Sequence, residues 1–460
     1  MPNNLKHRFA GAVRHLMQGA AVEKLSSLLN GLVLLRALSV TEYGLLVLVY
    51  SAYSMVDFAV GLALGELIVS RCSEARGESP DSEESGALFR SYIVLTLCTT
   101  VIVAVAAVTI LNRTGRDWLS PHLSLWLIVL GGATAPLRSL VLTELRIRQD
   151  FRKVKQADVV RCSALTLGYA VLLGPLGLGL NGAVIAYAVA NLLGFLLLAG
   201  VLVPVILRAV LRPDLRPVLR LMREEGKWQT LRYGVTAAHA SARPWLIGAV
   251  AGIEAVAVFD AAKTATGASL DLLPLKEALV PMMSEHARRP TELRALYLDS
   301  VRWGLVLFGV MGVAVAVAAP VIFTFVFPQY REAIIVTEIL AVGFLVSGFA
   351  APQTALLYAL RMQPTYLTTT LLNFALMFAL GIPLMMVWGA AGMAVTLIAT
   401  SILVAWKRHE AIRDVLPALR FGWRDWLVWR QSDWQMLRSL LTRRSRVAPL
   451  PDETLTAADA

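Results

Sequence analysis

The residues of this chain that could do chemistry are charges placed where charge is expensive. Over 228–252, Gln229, Arg232, Tyr233, Thr236, His239 and Arg243 recur at helical spacing on one stripe, which Pro244 then interrupts. Over 255–283, Asp260, Lys263, Thr264, Gly267 and Asp271 make a second stripe. Glu23, Ser26, Ser27 and Asn30 share a face near the start, as do Tyr50, Tyr53, Ser54, Asp57 and Gly61 in the next segment. An ionisable group in hydrocarbon costs about 2.5–3.5 kcal/mol, so each is expected to face a protein interior or an aqueous cavity. These types suit contact with a polar or charged ligand, with Arg243 and Lys263 as cations and His239 beside them. Some members have simpler duties. Glu23 with Lys24, and Lys276 with Glu277, are placed to neutralise each other, Arg36 can snorkel to the headgroups, and Asp260 sits at i, i+3 from Lys263.

Apolar elements must position these groups. The 460 residues are 57% apolar and 16% charged, against roughly 25% charged in ordinary soluble domains. This excludes a soluble enzyme. Runs such as Val101 to Leu111 are apolar on every side, unlike the alternating strands of a membrane barrel. The expected fold is all-α and polytopic, with about twelve spans near 18–37, 43–69, 91–111, 122–143, 157–174, 180–206, 228–252, 255–283, 301–323, 332–358, 365–387 and 389–406. Chemistry of other kinds lacks its residues. There is no GxxxxGK[ST] loop for ATP, and the six histidines form no HxxxH or other metal-ligand spacing. Cys72, Cys98 and Cys162 supply neither a disulfide framework nor a CxxC pair.

The net charge of +11 is mostly a topology signal. Of the 43 Lys and Arg residues, 33 flank one set of loops and both termini, while only Arg113, Arg116 and Arg331 flank the other set. The positive-inside rule then places both termini in the cytoplasm and requires no nucleic-acid partner. Lys6, Arg8 and Arg14 resemble a signal n-region, but Glu23, Lys24 and Asn30 in the following helix favour a retained first span.

The chain also looks duplicated. Val103-Ala104-Val105-Ala106-Ala107 recurs as Val315-Ala316-Val317-Ala318-Ala319, and the same offset pairs Glu42 with Glu254 and Arg76 with Arg288. Pro136 matches Pro352 at a similar spacing, and Gly179-x-x-Gly182 matches Gly389-x-x-Gly392. Two pseudo-symmetric six-helix lobes around a central cavity are expected, with polar faces on the first two helices of each. The implied organisation is a cytoplasmic segment 1–17, an N-lobe 18–206, a basic linker 207–227, a C-lobe 228–406 and a cytoplasmic tail 407–460. In the tail, Trp423, Trp426, Leu427, Trp434, Leu437 and Leu441 share a helical face, the pattern of a helix lying at the membrane surface or on a partner.

Several segments resemble landmarks of the oligosaccharide flippases of bacterial polysaccharide assembly, within the multidrug/oligosaccharidyl-lipid/polysaccharide exporter superfamily. Arg36-Ala37-Leu38-Ser39-Val40-Thr41-Glu42-Tyr43-Gly44 is similar to the family's Arg-x-Leu-Gly-x-x-Glu-Tyr-Gly turn, with Ser39 in place of glycine. Phe58-x-x-Gly61-Leu62 ending in Arg71, Leu145-Arg146-Ile147-Arg148-Gln149-Asp150-Phe151, and Phe327-Pro328-Gln329-Tyr330 resemble further landmarks. The likeness covers about 18–406.

The resemblance implies a transporter rather than an enzyme. It would flip oligosaccharides linked through pyrophosphate to undecaprenyl-type lipids across the inner membrane by alternating access, for O-antigen (lipopolysaccharide), capsule or exopolysaccharide synthesis. It implies Arg243 and Lys263, with His239 nearby, on the pyrophosphate, and Asn30, Tyr50 and Tyr53 on the sugars. It implies no cofactor, but a possible H+ or Na+ gradient acting on Asp57, Asp260, Asp271 or Glu23. A polysaccharide polymerase and a chain-length regulator are the expected partners. Two rival functions stay open: an ion-coupled drug or cation antiporter of the same superfamily, which the acidic residues would suit, and a nontransporting scaffold recruiting glycosyltransferases through the tail.

Overall fold

The computed structural model describes residues 23–72, 83–114, 125–270 and 289–415, apart from short gaps, together with Leu275, Leu279, Met282 and Met283. The expected signal-like start, Asp271 and the Trp-rich face of the tail lie outside the described residues. Helices dominate and no strand occurs among the described residues. They are α1 (Leu25–Ala37), α2 (Val40–Gly61), α3 (Glu83–Thr114), α4 (Leu125–Ile147), α5 (Phe151–Leu173), α6 (Gly179–Leu196) and α7 (Ala199–Leu211). There follow α8 (Arg216–Leu221), α9 (Lys227–Ala251), α10 (Ile253–Leu270), α11 (Pro290–Val321), α12 (Ala333–Ala359) and α13 (Gln363–Val415).

Six helices among the described residues are long and apolar enough to cross a membrane. One of them, α13, holds two of the expected spans and is broken between them at Gly389. The expected spans at 157–174, 228–252 and 255–283 also meet helices, but α5, α9 and α10 carry charges that lower their hydropathy. Their polar faces are the reason they fall short.

The suspected duplication has a backbone counterpart. Gly179 and Gly389, matched in sequence, both adopt positive φ, 51° and 53°, at the tight turn between consecutive helices. Three residues on, a Cβ at Gly182 would press on Leu172 and Leu178, and one at Gly392 would strike the backbone of Leu384 and Met385. The first glycine of each motif permits the turn, and the second permits the close approach of the helices it joins. The third and ninth expected spans likewise become α3 and α11, each 32 residues long.

Helices α2–α7 pack among themselves, as do α9–α13, and α2 packs across on α9 and α10. The buried apolar side chains of the described residues form three clusters. One joins Leu34–Val49 and Tyr169–Ala186 to Val256–Ala262 and Phe323–Val336, crossing from the amino-terminal to the carboxy-terminal helices. The other two stay within one group each, around Leu64, Tyr92, Leu140 and Leu145, and around Leu279, Tyr297, Leu356 and Ile412. Among the described residues the packing is therefore continuous at the end holding the turns at 38–42 and 253–254, and divided at the basic end.

The continuous end is tightly fastened. At the start of α2, Ser39 N donates to Glu42 Oε2 (3.1 Å) and Glu42 N donates to Ser39 Oγ (3.3 Å), a reciprocal capping box. Leu180 N, opening α6, donates to the other Glu42 oxygen at 3.4 Å. A Cβ on Gly44 would collide with the Ile253 carbonyl oxygen, so only glycine lets α2 lie this close to α10. Gln329 Nε2 donates to the Leu35 carbonyl at 2.8 Å, and the Tyr43 and Tyr330 rings meet edge to face at 5.9 Å. Two segments singled out in the sequence, 36–44 and 327–330, thus bind each other.

Candidate functional site

On the facing sides of α9 and α10, Arg243, Asp260 and Lys263 line a small cavity with Val47 of α2, Ala240, Pro244, Ile247, Val256 and Phe259. Its volume of about 10 Å³ is room for one water. Lys263 stands ten residues into α10 and Arg243 eight before the end of α9, so at 1.5 Å per residue both lie about 12–15 Å along their helices from the turn at Gly252. That distance is about half the thickness of a hydrocarbon core of about 30 Å.

The charges here are only partly spent. Lys263 Nζ is 3.8 Å from Asp260 Oδ1, and the lysine side chain remains 55% exposed. Asp260 Oδ2 accepts a hydrogen bond from the Tyr43 hydroxyl at 3.0 Å. Arg243 Nη2 lies 3.5 Å from His239 Nδ1, a long contact, and its buried Nε has no hydrogen-bond partner. His239 Nε2 is also buried without a partner, and the ring meets Phe374 edge-on at 6.1 Å. Two cations therefore face one carboxylate, with a guanidinium N–H left over. At this size the cavity admits one oxygen of an anion, with the leftover guanidinium N–H and the half-exposed Lys263 ammonium as its donors.

The structure puts the other expected residues elsewhere. Tyr53 is 4% exposed and lies over Gly131 and Gly132 of α4 inside the amino-terminal helices. It stacks on Tyr187 at 5.1 Å, and Tyr50 packs on Tyr187 at 5.2 Å while sharing a hydroxyl hydrogen bond with Tyr169. Asn30 donates to Ser26 Oγ at 3.3 Å, which in turn donates to the Cys162 carbonyl of α5 at 3.2 Å. Asn30, Tyr50 and Tyr53 therefore belong to a polar and aromatic layer among α1, α2, α5 and α6, apart from the Arg243 cavity. Asp57 is exposed, one turn beyond Tyr53. Glu23 pairs with Arg161 of α5 at 3.3 Å.

Sequence reasoning missed Arg138, which reaches from α4 to Asp158 of α5 at 2.6 Å. A lone arginine inside the apolar window 122–143 was the available signal. Tyr43 was read as part of a turn motif, and nothing in its spacing tied it to Asp260, 217 residues away. Among the described residues no group of three or more His, Cys, Asp or Glu is placed to hold a metal ion.

Comparison with known proteins places the chain in a family. No curated protein matches the chain. Among solved structures it is similar to an inward-facing multidrug resistance MATE family transporter of the MOP superfamily, with a TM-score of 0.73, 16% identity, and coverage of 89% of this chain and 98% of the other. An outward-facing MATE family transporter gives a TM-score of 0.62 at 16% identity, covering 88% and 94%. The lipid II flippase MurJ, in an inward closed conformation, gives 0.69 at 11% identity, covering 94% and 92%. The fold is thus that of a helical, multi-pass membrane protein of the MOP transporter type. The family model described as "Polysaccharide biosynthesis protein" matches residues 14–287, more than half of the chain, and the protein belongs to that family.

Proposed function

We propose that the protein is a flippase, carrying polyprenyl-pyrophosphate-linked oligosaccharide units from the cytoplasmic to the periplasmic face of the inner membrane by alternating access. The observation that carries this reading is the Arg243/Lys263 pair, two cations against one carboxylate well within α9 and α10. An organic cation would be repelled there, whereas a pyrophosphate supplies the missing negative charge and acceptors. The divided packing at the basic end and continuous packing at the other suit a state open toward the cytoplasm, in which the headgroup enters from the side of synthesis.

A place for the hydrocarbon tail lies on the next face of α10. An apolar cavity of about 380 Å³ runs between α1, α10, α11 and α12, with Leu28, Leu35, Ala265, Met311 and Phe323 in its lining. Ala261, Thr264 and Ala265 line it while Asp260 and Lys263 line the polar cavity, so one helix presents an apolar and an ionic surface side by side. This is the division an amphiphilic substrate needs. Net direction would come from an ion gradient acting on an acidic residue such as the exposed Asp57, or from consumption of product outside.

The test is direct. Purified protein in liposomes is expected to move a fluorescent polyprenyl-pyrophosphate-linked sugar between leaflets, and Arg243→Ala with Lys263→Ala to abolish movement without loss of insertion. Transport by the double variant at the wild-type rate would refute the assignment. The antiporter reading has one observation in its favour, the exposed Asp57 close to stacked tyrosines, and proton- or sodium-driven uptake of an organic cation would support it instead.

A further inference from the structure

Tyr43 joins the two groups of helices by a part-buried hydrogen bond. Its ring is 4% exposed, and Tyr330, against which it packs, is fully buried. The hydroxyl comes from α2, and its acceptor, Asp260 Oδ2, from α10. With the Gly44–Ile253 approach and the Gln329–Leu35 bond, this contact closes the turn end of the molecule. It differs from the others in one respect: its acceptor is charged and shared. Asp260 Oδ1 faces Lys263 Nζ at 3.8 Å and, with Arg243, borders the polar cavity. A single carboxylate therefore belongs to the closure with one oxygen and to the basic site with the other.

We propose that the Tyr43–Asp260 hydrogen bond is the lock of the turn-end gate, and that an anionic headgroup bound by Arg243 and Lys263 releases it. The proposal rests on the flippase reading for the identity of the anion, here a pyrophosphate. A phosphate oxygen on Lys263 takes the ammonium from Asp260 and sets a like charge beside the carboxylate. Asp260 then turns away, and Tyr43 loses its charged acceptor. A hydrogen bond to a charged group is among the stronger ones in a protein, so its loss should shift the closed-to-open ratio roughly 10- to 100-fold. Empty carriers would stay closed at this end, and loaded ones would open. Asp260 is thus a positioning residue that reports the headgroup to the gate.

The experiment places spin labels at Leu176→Cys and Glu332→Cys, exposed positions at the turn end on opposite groups of helices, after replacing Cys72, Cys98 and Cys162. Distances are measured by pulsed electron resonance on the full chain in nanodiscs. Tyr43→Phe keeps the ring against Tyr330 and is expected to raise the long-distance population about tenfold or more without ligand. Asp260→Asn should do the same and serves as the second variant. Inorganic pyrophosphate should lengthen the distance in wild type but not after Arg243→Ala with Lys263→Ala. Wild-type distance distributions in both Tyr43→Phe and Asp260→Asn would overturn the proposal, as would an undiminished pyrophosphate response without the two cations. Failure of the flippase reading looks different: the distances respond to pyrophosphate while no lipid-linked sugar crosses the liposome membrane.

Discussion

Replacing Arg243 by glutamine isolates what the polar cavity does from what holds the protein together. In the structure the guanidinium does little structural work: its Nη2 contact to His239 is 3.5 Å long and its Nε is unpartnered. Asp260, the nearby carboxylate, keeps both Tyr43 and Lys263 after the substitution. Little folding stability is therefore expected to be lost, within about 1 kcal/mol. Binding of a pyrophosphate should suffer more, since a hydrogen bond between charged groups contributes about 1.5–3 kcal/mol, or about 10- to 100-fold in affinity. The assay is titration of the purified protein with inorganic pyrophosphate, beside a thermal unfolding scan of the same sample. Unchanged affinity would refute the assignment of Arg243 to an anion site. A large drop in unfolding temperature with affinity intact would show that the guanidinium is structural after all.

Three further substitutions test the frame around the site. Gly44→Ala forces a methyl group against the Ile253 carbonyl and to 2.8 Å from its Cγ2, and such overpacking costs about 1–3 kcal/mol; the labelled pair at 176 and 332 should report a more open turn end. Arg138→Ala strips Asp158 of its partner, and with both side chains about four-fifths buried the loss should exceed the ~1 kcal/mol of a surface pair, read as a lower unfolding temperature than Arg243→Gln gives. Gly179→Ala adds a side chain at φ 51° and only 2.5 Å from Glu42 Oε1, so it should destabilise by about 1–2 kcal/mol, more than the same change at the open, negative-φ Gly200.

Much of the fold could be read from the chain because hydrocarbon penalises charge so heavily. Arg243, Asp260 and Lys263 stood out as a polar face in otherwise apolar windows, and the structure brings them to one cavity. The matched glycines at 179 and 389 were legible for a similar reason, since few residues other than glycine accept that backbone. Helical spacing, however, tells which residues share a face and not which neighbour the face meets. Asn30, Tyr50 and Tyr53 therefore looked like further lining of one cavity, whereas they bind α4, α5 and α6 within their own group of helices. Tyr43 was hidden by the same gap: a tyrosine in a turn motif carries no mark of an aspartate 217 residues on.

The two 32-residue helices set a limit on how this protein sits in a bilayer. At 1.5 Å per residue, α3 and α11 are each about 48 Å long, against a hydrocarbon core of about 30 Å. Even at a tilt of about 40°, the upper end of the usual range, each still reaches about 7 Å beyond the core. The amino-terminal part of α11, with Glu292, Arg294 and Asp299, is its charge-bearing end and so the one that projects, while α3 carries charge at both ends, Glu83 and Arg113. A hydrophilic molecule approaching that side meets raised protein walls before it reaches the depth of the lipid tails. A thicker bilayer would draw those walls in, making access to the interior sensitive to the lipid composition around it.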